Sequence, residues 1–315
     1  MNTSVSNAQN KLVATAAMKS LQRQKLIDQF FVVVGMTILF ASLLTLAMLF
    51  LDLVRDGAPR FGWDFFANFP SRNAQRAGIL SAWVGTCLVM LVTVCVAMPM
   101  GVAAAIYLEE YAPKNWFTAI IEINVTNLAG VPSIIYGLLA LGLFVYKLDL
   151  GQSIVSAGLT LALLILPIVI VASREAIRAV PRNIREAAYA LGATRWEVTA
   201  HHVVPYSSGG ILTGLIIGLS RAIGETAPII TIGALAFIAF LPTPPIGSEF
   251  PYVNFTWLSD PFTVMPIQMF NWVSRPDSAF QVNAAAAGAV LLAMTLAMNG
   301  IAIFVRYRFR KKINW

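Results

Sequence analysis

Charge is what this chain has least of. Only 12% of its 315 residues are Asp, Glu, Lys or Arg, against 58% hydrophobic, and the mean hydropathy is +0.73. These values lie outside the range of a soluble globular domain and inside that of a polytopic membrane protein. Cysteine is nearly absent too. Cys87 and Cys95 share one apolar run, eight residues apart, which on a helix is about 12 Å of rise and too far for a disulfide. They are expected to be inert core residues. The two histidines, His201 and His202, are adjacent and point about 100° apart on a helix, a poor arrangement for a shared metal. No Gly-Lys dipeptide occurs, so the GxxxxGK[ST] phosphate-binding loop is missing and the energy for any transport must come from a partner or an ion gradient. The formal net charge of +7 is no nucleic-acid footprint, because the basic residues cluster at the ends of apolar runs.

What is present is a series of such runs. Six spans are expected at about 29–52, 80–108, 119–146, 153–173, 209–240 and 283–305, each with enough apolar residues to cross roughly 30 Å of hydrocarbon as a helix. The third carries Glu122, Asn124, Asn127 and Pro132, which predict a kinked or partly interfacial helix. The first 28 residues are polar and lack a short apolar core with a cleavage site, so no secretory signal peptide is expected. With the N-terminus cytoplasmic, fifteen lysines and arginines fall on inside segments and six on outside segments. That bias favours both termini inside. The predicted organisation is a cytoplasmic segment 1–28, a transmembrane domain 29–305 and a basic cytoplasmic tail 306–315. Within the domain lie a cytoplasmic loop 174–208 and a long external segment 241–282, whose Trp257 and Trp272 serve either as an interfacial aromatic belt or as a surface for an outside partner.

The cytoplasmic loop reads as two short helices meeting at a corner. Asn183 followed by Glu186 has capping-box spacing, Gly192 supplies a left-handed stop, and Thr194 with Glu197 repeats the capping pattern. Pro205 is expected to limit the second helix. The elbow is either a solvated connector packed on its own bundle or a docking site.

Arg221 and Glu225 stand at i and i+4 in the fifth span, on one helical face. A charge at mid-membrane costs about 2.5–3.5 kcal/mol on insertion scales, so the two should face the bundle interior and pair. Pro228 removes the bond to the carbonyl of Gly224, which predicts a kink at Gly224 and Pro228. Ser220 and Thr226 add hydroxyls. One reading is an ion pair that only fixes helix packing. The other is an anion path, in which the planar donor fork of arginine recognises an oxyanion and glutamate holds it in the empty state.

Several segments carry a resemblance. EAAYALG, with Pro205 thirteen residues beyond Gly192, resembles the EAA loop of ABC-importer permeases, although His202 and Val204 stand where Ile and Leu are usual. SRAIGETAPI, IYLEEYAP at 106–113 and LAGVPSIIYGLLALGLFV at 128–145 are similar to segments of phosphate-specific ABC permeases, and Thr226-Ala227-Pro228 favours the PstA-type subunit over its PstC-type sister. The resemblance implies an all-α, six-span fold of the MetI-like kind. It implies that Glu186, Ala187, Ala188 and Gly192 contact a cytoplasmic ATPase. The pair and the kink make Arg221, Glu225, Ser220 and Thr226 the expected translocation path, and the resemblance names inorganic phosphate and a bacterial inner membrane. The implied partners are a PstC-type second permease, two PstB-type ATPase subunits that carry ATP and magnesium, and a PstS-type extracytoplasmic phosphate-binding protein. The chain itself is expected to bind no cofactor, no metal and no nucleic acid and to catalyse no covalent step. The rival readings are a permease for phosphonate, sulfate or molybdate, a secondary transporter that couples protons through Glu225, and a non-transporting scaffold or sensor.

Overall fold

The computed structural model describes residues 2–246, 252 and 254–311. Among these the chain is helical and carries no strand. It divides into two compact units, Met1–Arg55 and Asp56–Trp315. The first is the bulk of α1 (Asn2–Gly57), one continuous helix that runs through both the polar start and the first apolar run. The basic residues Lys11, Lys19, Arg23 and Arg310 to Lys312 used for orientation lie outside the residues whose side chains are described, as do 247–251 and 253 of the external segment.

In the second unit a 3₁₀ turn (Ala58–Arg60) and α2 (Trp63–Ala67) lead to α3 (Leu80–Ile106), whose last turn, Tyr107–Tyr111, is π-wound. α4 (Trp116–Leu128) and α5 (Ser133–Ala140, continued by the π-wound Leu141–Lys147) form a pair bent by 107°. α6 (Ile154–Arg178) is the central span, with 67% of its apolar window buried against 33% for that of α3. Its Leu161, Ile165 and Val169 meet Val89 and Val92 of α3 and Leu215 and Leu219 of α9 (Val204–Ala222). Small residues bring the helices close, with Gly214 and Gly210 of α9 set directly against Ala172 and Ala176 of α6. In a bilayer such contacts replace the hydrophobic drive as the source of helix association. After α10 (Ala227–Ile232), the chain runs without helix to a 3₁₀ turn (Thr256–Ser259), then α11 (Met265–Val273) and α12 (Ala279–Lys311). Among the described residues five helices are long and apolar enough to span a membrane, or six with the bent pair as one span.

The third span is bent as expected, and the corner falls at Ala129 to Pro132, with Pro132 as the cap that starts α5. The fifth span differs. It runs Arg195–Ala222 rather than 209–240, because α8 (Arg195–Val198), a π turn (Thr199–Val203) and α9 are continuous. Pro205 does not limit the helix: it sits at the start of α9, where the preceding π turn absorbs its missing N–H.

Two further expectations are corrected. Trp257 is 6% exposed and Trp272 fully buried, so neither forms an interfacial belt nor presents a surface. Among the described residues of 241–282, Trp257 joins the main core, and Trp272 packs with Phe65, Phe280 and Ala284. Cys87 and Cys95 are free and exposed on α3 rather than in the core, because the small face of α3, with Gly85 and Ala97, is the one that packs inward.

Candidate functional site

The site is built where two spans break. α9 ends at Ala222, residues 223–226 are non-helical, and α10 begins at Ala227 with Pro228 in its first turn. The expected kink is therefore a full interruption. A proline in a helix interior would lose a bond and crowd the preceding turn, whereas in a first turn its missing N–H has no partner to lose. Gly224 lies in the interruption, and Glu225 N–H bonds only back to the Ala222 carbonyl at 3.2 Å.

Opposite this break stands the other one. α5 crosses α10 at Gly137, where a Cβ would lie 2.6 Å from Pro228 Cα and would also collide with the Thr231 hydroxyl. Only glycine permits this approach. The Tyr136 hydroxyl donates to the Leu128 carbonyl at 2.7 Å and so fastens the α4–α5 corner. Two segments some ninety residues apart, LAGVPSIIYG and SRAIGETAPI, thus form one contact.

Arg221 occupies the last turn of α9, where a cation complements the carbonyl end of the helix. Its Nε donates to Glu225 Oε1 at 3.4 Å, with side chains 38% and 20% exposed. Among the described residues that is the one ion pair Arg221 makes, and its Nη atoms make no hydrogen bond there. Ser220 is held between the Ile216 carbonyl and Asn299 of α12, each at 2.7 Å. Thr226 caps α10 by position and makes no side-chain cap bond. Arg221, Ser220, Glu225 and Thr226 therefore share one region of the fold, and Asn299 joins them.

The elbow has two faces. α7 (Arg182–Ala190) starts from Pro181 rather than Asn183, so the first capping box is absent. Proline's fixed φ already prepares the first turn after α6 ends, which places Asn183 inside the helix. Gly192 adopts φ +85°, and the Thr194–Glu197 capping box is complete, with Thr194 N–H donating to Glu197 Oε2 at 2.8 Å. Ala188 is buried with Ala105, Ile177, Val180, Val198 and Val203. The other face is open: Glu186, Ala187 and Gly192 are exposed, Leu191 is 90% exposed and Trp196 67%. Of the four residues assigned to docking, Ala188 alone faces its own chain.

Sequence reasoning missed the ion pairs that hold the elbow. Arg174 bonds Glu109 and Glu122, each at 2.9 Å. Arg178 reaches Glu109 at 2.7 Å, and Arg185 reaches Glu110 at 2.8 Å while capping the carbonyls of Ile177 and Val180. The available signal was the adjacent pair Glu109-Glu110 ending one apolar run and the arginines ending another.

With this geometry the comparisons with known proteins agree. Residues 97–314 match the family described as binding-protein-dependent transport system inner membrane component. The chain belongs to that family. It is a multi-pass membrane permease component of the ABC-importer kind, not a catalytic subunit, and its MetI-like fold is the one the resemblance implied. The permease is 31% identical to the phosphate transport system permease protein PstA of Haemophilus influenzae, over 86% of this chain and 89% of the relative. It is 30% identical to the protein of that name from Yersinia pestis, over 92% of each. For the one from Xylella fastidiosa (strain 9a5c) the identity is 30%, over 78% of this permease and 81% of the relative.

Proposed function

We propose that this permease carries inorganic phosphate inward as the PstA-type subunit of an ATP-driven importer in a bacterial inner membrane. It lies beside a homologous PstC-type permease, with both termini and the elbow cytoplasmic. One of the two PstB-type ATPase subunits docks on Glu186, Ala187, Gly192 and the exposed Leu191 and Trp196, and the other on the second permease. A PstS-type binding protein delivers phosphate from outside, and ATP and magnesium stay on the ATPase.

The observation that carries this reading is the convergence of both broken spans on Arg221 and Glu225. A guanidinium whose Nη atoms make no hydrogen bond among the described residues, and whose Nε makes one long bond to a carboxylate, is suited to transient oxyanion capture. The anion displaces a weak partner, binds bidentately and leaves when the carboxylate returns. A tighter pair would hold the arginine and a lone arginine would hold the anion. The name phosphate rests on the relatives, which cover most of the chain.

Uptake of labelled phosphate into vesicles bearing the four-component complex tests the reading. Uptake is expected to require both ATP and Arg221. ATP-dependent uptake that persists in Arg221→Gln removes the pair from the path. An intact complex that hydrolyses ATP without moving phosphate overturns the substrate.

A further inference from the structure

α4 is the most loosely seated half-helix of the second unit. Thr118 is its one buried residue, and clefts of about 410 Å³ and 540 Å³ flank it, one toward α6 and one toward the end of α3. Glu122 lines both clefts. Its side chain, 37% exposed, reaches across to Arg174, which is 7% exposed and anchored on the other side by Glu109. Glu109 is also bound by Arg178, and the neighbouring Glu110 is bound by Arg185 of the elbow helix α7. A continuous run of charged contacts therefore links the docking elbow to α4. Beyond α4 the path continues through the 107° corner, held by Tyr136, to α5, and through Gly137 to Pro228, beside Arg221 and Glu225.

We propose that Glu122 is a positioning residue for coupling: through its bond to Arg174 it makes the corner α4–α5 follow the elbow. This inference rests on the importer reading above. A rigid elbow moved by a partner needs a mechanical connection to the site it controls, and an element with one buried residue and clefts beside it can take up two positions. The Glu122–Arg174 bond sets which way that element goes. Losing it leaves the elbow seated, because Arg174–Glu109 and Arg185–Glu110 persist, and leaves α4 without its tether.

The test uses the complete complex in vesicles, with Glu122→Gln and the conservative Glu122→Asp. In Glu122→Gln, subunit assembly and ATP hydrolysis are expected to stay within twofold of the parent. Phosphate moved per ATP is expected to fall at least fivefold, with Glu122→Asp recovering at least half. An unchanged ratio, or transport and hydrolysis falling in parallel, overturns the proposal. A second readout needs no knowledge of the substrate. Spin labels at Ile123→Cys on α4 and Leu296→Cys on α12, in a Cys87→Ser, Cys95→Ser background, report their separation with and without trapped nucleotide. The separation is expected to change in the parent and to stay fixed in Glu122→Gln. A change of equal size in both overturns the tether. If the parent moves no phosphate while its label separation responds to nucleotide, the substrate reading fails and the tether stands or falls on this second measurement.

Discussion

The arginine–carboxylate sites at Arg221 and Arg174 differ in nearly every physical respect. Arg221 meets Glu225 through one 3.4 Å contact between neighbours in sequence, with both side chains partly open. Arg174 meets Glu109 and Glu122 through two 2.9 Å contacts with helices more than fifty residues away, and is almost fully enclosed. An exposed single pair contributes about 0–1 kcal/mol and exchanges partners readily. An enclosed arginine with two carboxylates is costly to remove, because two charge-assisted bonds are lost at once. The first arrangement suits a group that must let go of its partner, the second a group that must not.

That contrast can be broken from either side. The largest effect on stability is expected from Arg174→Gln, which leaves Glu109 and Glu122 without their shared cation. Glu109 keeps Arg178 and Glu122 is partly exposed, so a loss of about 2–3 kcal/mol, read as a lower unfolding midpoint of the purified complex, is the expected outcome. Arg221→Gln should barely move that midpoint, by about 1 kcal/mol or less, while abolishing ATP-dependent uptake. If both substitutions destabilise equally, the two sites are not of different kinds. Gly137→Val forces a side chain into Pro228 and Thr231 and separates α5 from α10. A destabilisation of about 1–3 kcal/mol is expected, together with loss of uptake, measured on the same preparation. Gly192→Ala places a Cβ at φ +85° and should cost about 1 kcal/mol, tilting the elbow and lowering ATPase association. Leu191→Ser is the mildest for the fold: stability within about 0.5 kcal/mol, but ATPase subunit binding weaker by about tenfold, a loss near 1.4 kcal/mol detectable by titration.

How much of this the chain declared in advance depended on the range of the interaction. Long apolar runs announced α1, α3, α6 and α12, and Pro132 announced the broken third span. Gly192 and the Thr194–Glu197 box were legible because each is a local rule within four residues. Asn183 misled because Pro181, two positions earlier, starts the helix first. Pro205 and Pro228 misled in opposite directions. One is carried through by a π turn, and the other sits after a complete break, and nothing in the residues themselves says which remedy the backbone takes. Trp257 and Trp272 carried the composition of a membrane interface, yet the 3₁₀ turn at Thr256–Ser259 and α11 fold them inward, a matter of tertiary packing. The bonds from Arg174 to Glu109 and from Arg185 to Glu110 span 65 and 75 residues, beyond any periodic pattern. The Arg221–Glu225 pair was visible because it lies at i and i+4, and its openness was not, since exposure is set by neighbouring helices.

The π turn at Thr199–Val203 has a geometric consequence for the whole elbow. A π turn is an α-helix with one residue in excess, and each residue of an α-helix advances the chain by about 100° around the axis. That extra residue acts as the indexing tooth of a screw. It decides at what angle α8, the corner at Gly192 and the exposed Leu191 and Trp196 leave the top of α9. A chain shortened by one residue there would have to turn α8 and the corner by about a quarter turn relative to α9, against the Arg185–Glu110 bond that holds the elbow.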